Sequence, residues 1–521
     1  MDSTPSSTKI PATIIAATIF CLSFTLGVTQ ITATEIETIN ANKREITFED
    51  CPRVANKQRV YGAKCGILTV AENPDSSVGK QISLHIMRLS AVEDRQLPPI
   101  FFVAGGPGQA STEIASMIRQ QFSSLLKNHD FVFVDQRGTG KSNPLDCETD
   151  PFETMSLLPL AAAEIANQQM QMCINSYDSN LSFYTTPYAV KDLEQVRLAL
   201  GYPSINVWGA SYGTRVILEY LRQFPNSVHR VVLDGVAPVA IELPAHVTAD
   251  SSQSLAKVFE HCREQRQCEQ NFSGLRSQWL NLLASLKEHP QQIELKHPRT
   301  EQKKLVYIDD VVISSWVRLS LYVRDLTTII PLAINNAINA DFSMLYSIHA
   351  LGLDSVNSGI SQGMQFNILC SEDNQFRYHQ QPIEQQGRVS LLSTIDNDVF
   401  DTSCEMVSSR IADPAYFEPL QSNVPALLLS GEIDPATPPH WAELVQDGLT
   451  QSQHIIVPGG HHNVSGLGCI PDLIQQFYSA TTATHINTDC IKNIMPASYF
   501  IDSAGPGLLP TAKNSPGVNR D

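Results

Sequence analysis

Seven consecutive residues, Trp208-Gly209-Ala210-Ser211-Tyr212-Gly213-Thr214, constrain this chain more than any other stretch. They set a Gly-x-Ser-x-Gly pattern between two contrasting segments. Ile205-Asn206-Val207-Trp208 is a short apolar run of the kind a buried strand needs, and residues 215–221 read as a helix. A strand that turns sharply into a helix at this pattern forms an elbow that presents a nucleophile. Glycine on either side of the serine removes the Cβ clashes of a strained turn, and the hydroxyl stands clear of the sheet edge. The first N–H groups of the helix then point at whatever the serine attacks. A second match, Gly359-Ile360-Ser361-Gln362-Gly363, has no strand before it and is read as a chance occurrence.

The surrounding pattern supplies the sheet that such an elbow requires. Residues 81–89 alternate apolar and polar, and Pro99-Ile100-Phe101-Phe102-Val103 and Asp130-Phe131-Val132-Phe133-Val134 are further apolar runs. Residues 191–200 have helical spacing, and 228–233 form another strand ending at Asp234-Gly235. Strands alternating with helices predict an α/β fold, a mostly parallel sheet covered by helices on both faces. Reactive groups then gather at the strands' C-terminal ends. From 236 to 424 the pattern changes to helical stretches (254–261, 275–286, 309–322) with Pro-rich joints and no run of sheet strands. This segment reads as a helical cap inserted into the core. Core residues 35–235 precede it and core residues 425–494 follow, with strands at 425–430 and 454–457. Residues 495–521 carry Gly and Pro and are expected to be a poorly ordered tail. Gly138-Thr139-Gly140-Lys141-Ser142 resembles a phosphate loop, but Asp135 stands where that loop needs glycine, so no nucleotide site is read there.

At 521 residues the chain can build a large core and a second domain, and 42% hydrophobic with 17% charged residues fits a globular protein. A net charge of -17 disfavours nucleic acid and anionic membranes as partners. Residues 1–34 read as an export signal: Lys9, an apolar run from 10 to 28, then small residues such as Ala33. A retained N-terminal anchor is the alternative. Eleven cysteines support export, since setting aside Cys21 leaves ten in sequential couples: 51/65, 147/173, 262/268, 370/404 and 469/490. Neighbour pairing is an expectation that spacing alone does not establish. No Cys-x-x-Cys pair or His-Glu-x-x-His helix is present, so neither a metal nor another cofactor is expected.

A serine hydroxyl is a weak nucleophile until an imidazole takes its proton, and a carboxylate must hold that imidazole in the right tautomer. Ser211, then Asp434, then His461 or His462 follow the order Ser, acid, His, each just past a strand. Asp234 is a rival acid at the end of the strand after the elbow.

Together these stretches resemble the tripeptidyl aminopeptidase and proline iminopeptidase branch of serine α/β-hydrolases, peptidase family S33. The matching residues are Cys65-Gly66, Gly105-Gly106-Pro107-Gly108, Asp135-Gln136-Arg137-Gly138, Gly209 to Thr214, Leu233-Asp234-Gly235, Cys370-Ser371-Glu372-Asp373, and His462 with Cys469. Ala104 departs from the branch, which often has His there. The resemblance implies His462 as the base, because the branch places it seven residues before a Cys. It also implies an oxyanion hole of the Gly106 and Tyr212 N–H groups, with Gly105 as the other candidate in that loop. The implied activity is that of an exported aminopeptidase acting on small peptides through an acyl-enzyme, with no nucleic-acid partner and no stable membrane partner once the signal is removed. An esterase or lipase on the same scaffold is the alternative, and a non-catalytic binding protein a remote one. Glu372 and Asp373, in the predicted cap, are the candidates to bind a substrate's α-ammonium, since charge-assisted hydrogen bonds suit that task.

Overall fold

The computed structural model describes residues 46–52, 60–76, 78–93, 97–147, 157, 159–242, 245–356, 359–373, 390–393, 403–405, 407, 411, 413–480 and 485–506. The expected export signal and residues 507–521 lie outside the described residues. Among those described, no helix is long and apolar enough to cross a membrane.

Nine strands form one sheet. In chain order they are β1 (Glu49–Asp50), β2 (Ala63–Ala71), β3 (Gln81–Leu89), β4 (Leu97–Val103), β5 (His129–Val134), β6 (Ile205–Ala210), β7 (Val228–Asp234), β10 (Ala426–Gly431) and β11 (Ser452–Val457). They lie in the order β1-β2-β3-β5-β4-β6-β7-β10-β11. Pairings are antiparallel from β1 to β5 and parallel from β5 through β11. Successive side chains of a strand point to opposite faces, so β4 sends Phe101 and Val103 into one core and Ile100 and Phe102 into the other. Helices α1 (Ser111–Gln121), α2 (Thr186–Ala199) and α3 (Tyr212–Gln223) cover these faces. Val190, Val196, Val216 and Tyr220 fill the first core, and Ala115 and Ile118 the second.

The inserted segment builds its own core from α4 (Ala245–Glu264), α5 (Leu275–Glu288), α6 (Asp310–Ser320), α7 (Ile330–Ile338) and α8 (Ser343–Val356), whereas α9 (Gln362–Ile368) sends Met364 and Ile368 into the first core of the sheet. Trp279, Trp316, Ile334 and Tyr346 are buried at its centre. It also contains an antiparallel hairpin, β8 (Gln291–Lys296) and β9 (Lys303–Ile308), where no strand was expected. Each strand opens on a polar pair, Gln291-Gln292 and Lys303-Lys304, so the alternation that follows is too short to stand out in the sequence. Residues 495–506 depart from the expected loose tail. Tyr499 is buried in the cap core, its N–H donates to Gln265 Oε1 at 3.1 Å, and the Phe500 N–H donates to the Thr328 carbonyl at 2.9 Å.

Five disulfides join Cys51–Cys65, Cys147–Cys173, Cys262–Cys268, Cys370–Cys404 and Cys469–Cys490. All are neighbour pairings. Helices α10 (Pro439–Gln446) and α11 (Ile470–Ser479) complete the fold.

Candidate active site

Ser211 occupies the turn between β6 and α3 with φ 55 and ψ -127, a conformation non-glycine residues rarely adopt. The turn holds because its neighbours carry no Cβ. A Cβ on Gly209 would stand 2.6 Å from the Gly213 carbonyl oxygen, and one on Gly213 only 2.2 Å from the Val103 carbonyl oxygen. The Ser211 N–H donates to the Asp234 carbonyl at 2.8 Å, tying the elbow to β7.

Three side chains from three strand ends meet here. His462 Nε2 lies 2.9 Å from Ser211 Oγ, and His462 Nδ1 lies 3.0 Å from each oxygen of Asp434. A carboxylate only accepts, so Nδ1 carries the proton and Nε2 is left to accept from the serine. Asp434 is fully buried but well supplied with donors: the Ala436 and Thr437 N–H groups at 2.9 Å each and Thr437 Oγ1 at 2.7 Å. Burial works to raise the Asp434 carboxyl, yet the charge and hydrogen bond of His462 hold it below its ordinary value. Burial likewise works to lower the His462 imidazole, but Asp434, helped by Asp234, raises it. The acid's loop is gripped from the cap. On α4, Ser251 Oγ donates to the Pro435 carbonyl at 2.9 Å and Ser254 Oγ to the Ile433 carbonyl at 2.7 Å.

The rival groups have other contacts. Asp234 accepts from the N–H groups of Val464 at 2.8 Å and Ser465 at 2.9 Å, which anchors the loop that carries His462. His461 faces away from the serine; its Nδ1 is 2.9 Å from the Leu321 carbonyl, and burial pushes it down to about 4, so it is a neutral link between core and cap.

In the loop after β4, Gly105 abuts the nucleophile, where a Cβ would lie 2.8 Å from Ser211 Cβ and 3.4 Å from its Oγ. Gly106 follows with φ 107, which glycine alone tolerates easily. The N–H groups of Gly105, Gly106 and Tyr212 find no acceptor among the described residues. Amides left over in the two segments flanking a serine are what an oxyanion needs.

Glu372 and Asp373, the candidates for binding a substrate amine, are engaged inside the fold. Both are 0% exposed. Glu372 accepts from the Thr186 N–H at 2.7 Å, Thr186 Oγ1 at 3.0 Å and the Tyr416 hydroxyl at 2.5 Å. Arg215, one turn past the nucleophile, donates to Asp373 at 2.6 Å and lies 3.5 Å from Glu372. The buried guanidinium needs counter-charge, so these acids join the stretch just after α9 to α3.

Sequence reasoning missed Thr437 and Tyr322. Thr437 has a local signal, a hydroxyl three residues after an Asp, as in side-chain-capped turns. Tyr322 has none; its ring packs edge-on against His462 with centroids 5.2 Å apart, a contact made by a residue of the cap. Among the described residues no cluster of His, Cys, Asp and Glu could hold a metal ion.

A mostly parallel sheet covered by helices, with a strained serine elbow and a His–carboxylate pair past later strands, defines an α/β-hydrolase. The family described as alpha/beta hydrolase fold matches residues 98–466, and the chain belongs to it. Among curated relatives, the tripeptidyl aminopeptidase of Streptomyces lividans is 28% identical over 216 residues, 39% of this chain and 40% of that protein. Serine protease Hip1 of Mycobacterium tuberculosis is 30% identical over 200 residues, 35% and 38% of the two chains. A probable proline iminopeptidase of Streptomyces coelicolor is 30% identical over 139 residues, 27% and 33%. The chain thus spans about two-fifths or less of the length of the curated relatives it matches. These relatives carry peptidase names, in keeping with the resemblance read from the motifs.

Proposed function

We propose that the protein is an exported serine hydrolase that cleaves peptide bonds near a free N-terminus, with Ser211 as nucleophile, His462 as base and Asp434 as acid. The observation that carries this reading is the unbroken chain from Ser211 Oγ through His462 to Asp434, at 2.9 and 3.0 Å. In this mechanism neutral His462 takes the Ser211 proton through Nε2 as Oγ attacks the peptide carbonyl. The developing oxyanion sits against the Tyr212 N–H and that of Gly106. The imidazolium, held by Asp434, then hands its proton to the leaving amine, and water attacks the acyl-enzyme by the same relay in reverse. The names of the relatives support the peptide substrate, and the five disulfides support an oxidising compartment.

The test compares peptide amides with a free N-terminus, the same peptides N-acetylated, and short-chain esters, each with wild type and Ser211→Ala. Free-amine peptides should be the best substrates, and Ser211→Ala should abolish all turnover. Esters alone being cleaved would overturn the peptidase reading. Acetylated and free peptides cleaved equally well would overturn the N-terminal one.

A further inference from the structure

Helix α6 ends against the candidate site. Leu321, just past its end, offers its carbonyl to His461, and Tyr322 packs its ring on His462. One turn before Tyr322 on the same helix stands Arg318. Alongside, α8 contributes His349, stacked on Trp316 with ring centroids 5.8 Å apart.

These three polar groups share a peculiarity. Among the described residues the Arg318 guanidinium has no ion pair, no side-chain hydrogen bond and no aromatic face, and the Tyr322 hydroxyl has no partner. His349 is 8% exposed, and its Nδ1 is buried without a partner. Arg137, Arg197 and Arg215, by contrast, are buried and paired, with Asp192, Glu194 and Asp373 respectively. Arg318 and Tyr322 keep partial access to solvent, so a cation without a counter-ion stands open to an anionic group beside the reaction centre. The three are also electrostatic neighbours. Burial, assisted by the charge of Arg318, pushes His349 down to about 3, while burial raises Tyr322 to about 12 against the pull of Arg318. At neutral pH the group therefore offers one positive charge and two neutral polar groups.

We propose that Arg318, Tyr322 and His349 form a subsite for a carboxylate carried by the substrate, adjoining the His462 side of the reaction centre. A single cation flanked by neutral groups matches a monoanion, and a guanidinium meets a carboxylate through two parallel N–H bonds. The carboxylate is either an acidic side chain or the free C-terminus of a short peptide. The inference rests on Ser211 as the nucleophile, but not on the bond cleaved being a peptide bond.

The experiment measures kcat/KM in matched pairs: peptides with Glu against Gln, with a free against an amidated C-terminus, and a succinate monoester against its amide. Buffers at moderate salt damp repulsion from the acidic chain. Wild type should favour at least one carboxylate member by roughly 10- to 100-fold, the worth of a charged hydrogen bond. Arg318→Gln should collapse that ratio towards one, and Arg318→Lys should restore part of it. Because the ratio is taken within each variant, a general loss of rate cancels. If Arg318→Gln does not fold, competitive inhibition of wild type by succinate but not by succinamide supports the subsite, and equal or no inhibition by the two overturns it. No preference in wild type, or one that survives Arg318→Gln, overturns the proposal. If only esters are turned over, the peptidase reading fails while the ester pair still decides this one.

Discussion

Replacing Asp434 or Asp234 by Asn separates two buried acids that look alike as sequence. In Asp434→Asn, Oδ1 can still accept the Ala436 and Thr437 N–H groups, now at 2.9 Å, so the loop keeps its main supports. The new NH₂ must then face Thr437 and His462 Nδ1. An amide donating to Nδ1 forces the imidazole proton onto Nε2, 2.9 Å from Ser211 Oγ, where a base is required. The wrong tautomer costs about 10⁴ in kcat, or about 5 kcal/mol of barrier, with little change in thermal midpoint. In Asp234→Asn the balance is reversed. One of the two N–H groups, from Val464 or Ser465, would face an NH₂ and lose its acceptor. That costs a charged hydrogen bond and leaves a buried donor unpaired. The gain from no longer burying a charge, the burial that raises Asp234 above its ordinary value, partly offsets it. The net loss is roughly 2 to 4 kcal/mol of stability, with kcat within about tenfold of wild type. Steady-state kinetics on one substrate and thermal melts of both variants decide the matter. An active Asp434→Asn beside an inactive but stable Asp234→Asn would refute the assignment of the acid.

Further outcomes can be checked on the same protein. Because His462 works as the neutral base and its folded value is raised above 6.5, activity should fall as pH drops through that raised value, placing the acid limb of kcat/KM above 6.5; a limb well below 6.5 contradicts the pairing with Asp434. Ser211→Ala should lower kcat by about 10⁶ and remove labelling by a fluorophosphonate, and labelling that persists would move the nucleophile elsewhere. Gly213→Ala puts a Cβ 2.2 Å from one backbone oxygen and 2.7 Å from another, so it should yield no folded enzyme; an active variant would show that the elbow can relax. Glu372→Gln should reduce turnover of free-amine peptides and neutral esters to the same extent, since Glu372 supports Thr186 and Tyr416; a loss confined to free-amine peptides would restore Glu372 as the amine anchor.

The elbow was legible because everything that makes it is contiguous: the apolar run of β6, two glycines around Ser211, and the start of α3. The parallel strands were legible for a similar reason, as runs buried on both faces need little context. The β8–β9 hairpin was not, because each strand opens on a polar pair and leaves too short an alternation to recognise. Nor did composition reveal that residues 495–506 pack on the cap, since Tyr499 is buried only by what other segments bring to it.

The limits of local reading are sharpest at the site itself. Sequence order nominated Ser211, two acids and two histidines, and which of them meet was decided in space. Ser211 and His462 are 251 residues apart, and their contact depends on the register of β6 against β7, β10 and β11. Asp234 ends β7 and Asp434 lies just past β10, and only the packing of the loops beyond brings an imidazole to Asp434 and leaves Asp234 with backbone amides. Glu372 and Asp373 read as candidates for a substrate amine, and it was the fold that brought Arg215 to them from a helix more than a hundred residues earlier. Short-range pattern sets where strands and turns form, because backbone geometry and side-chain periodicity act between near neighbours. The partner of a buried charge is chosen by desolvation, and that depends on every segment that excludes water from it.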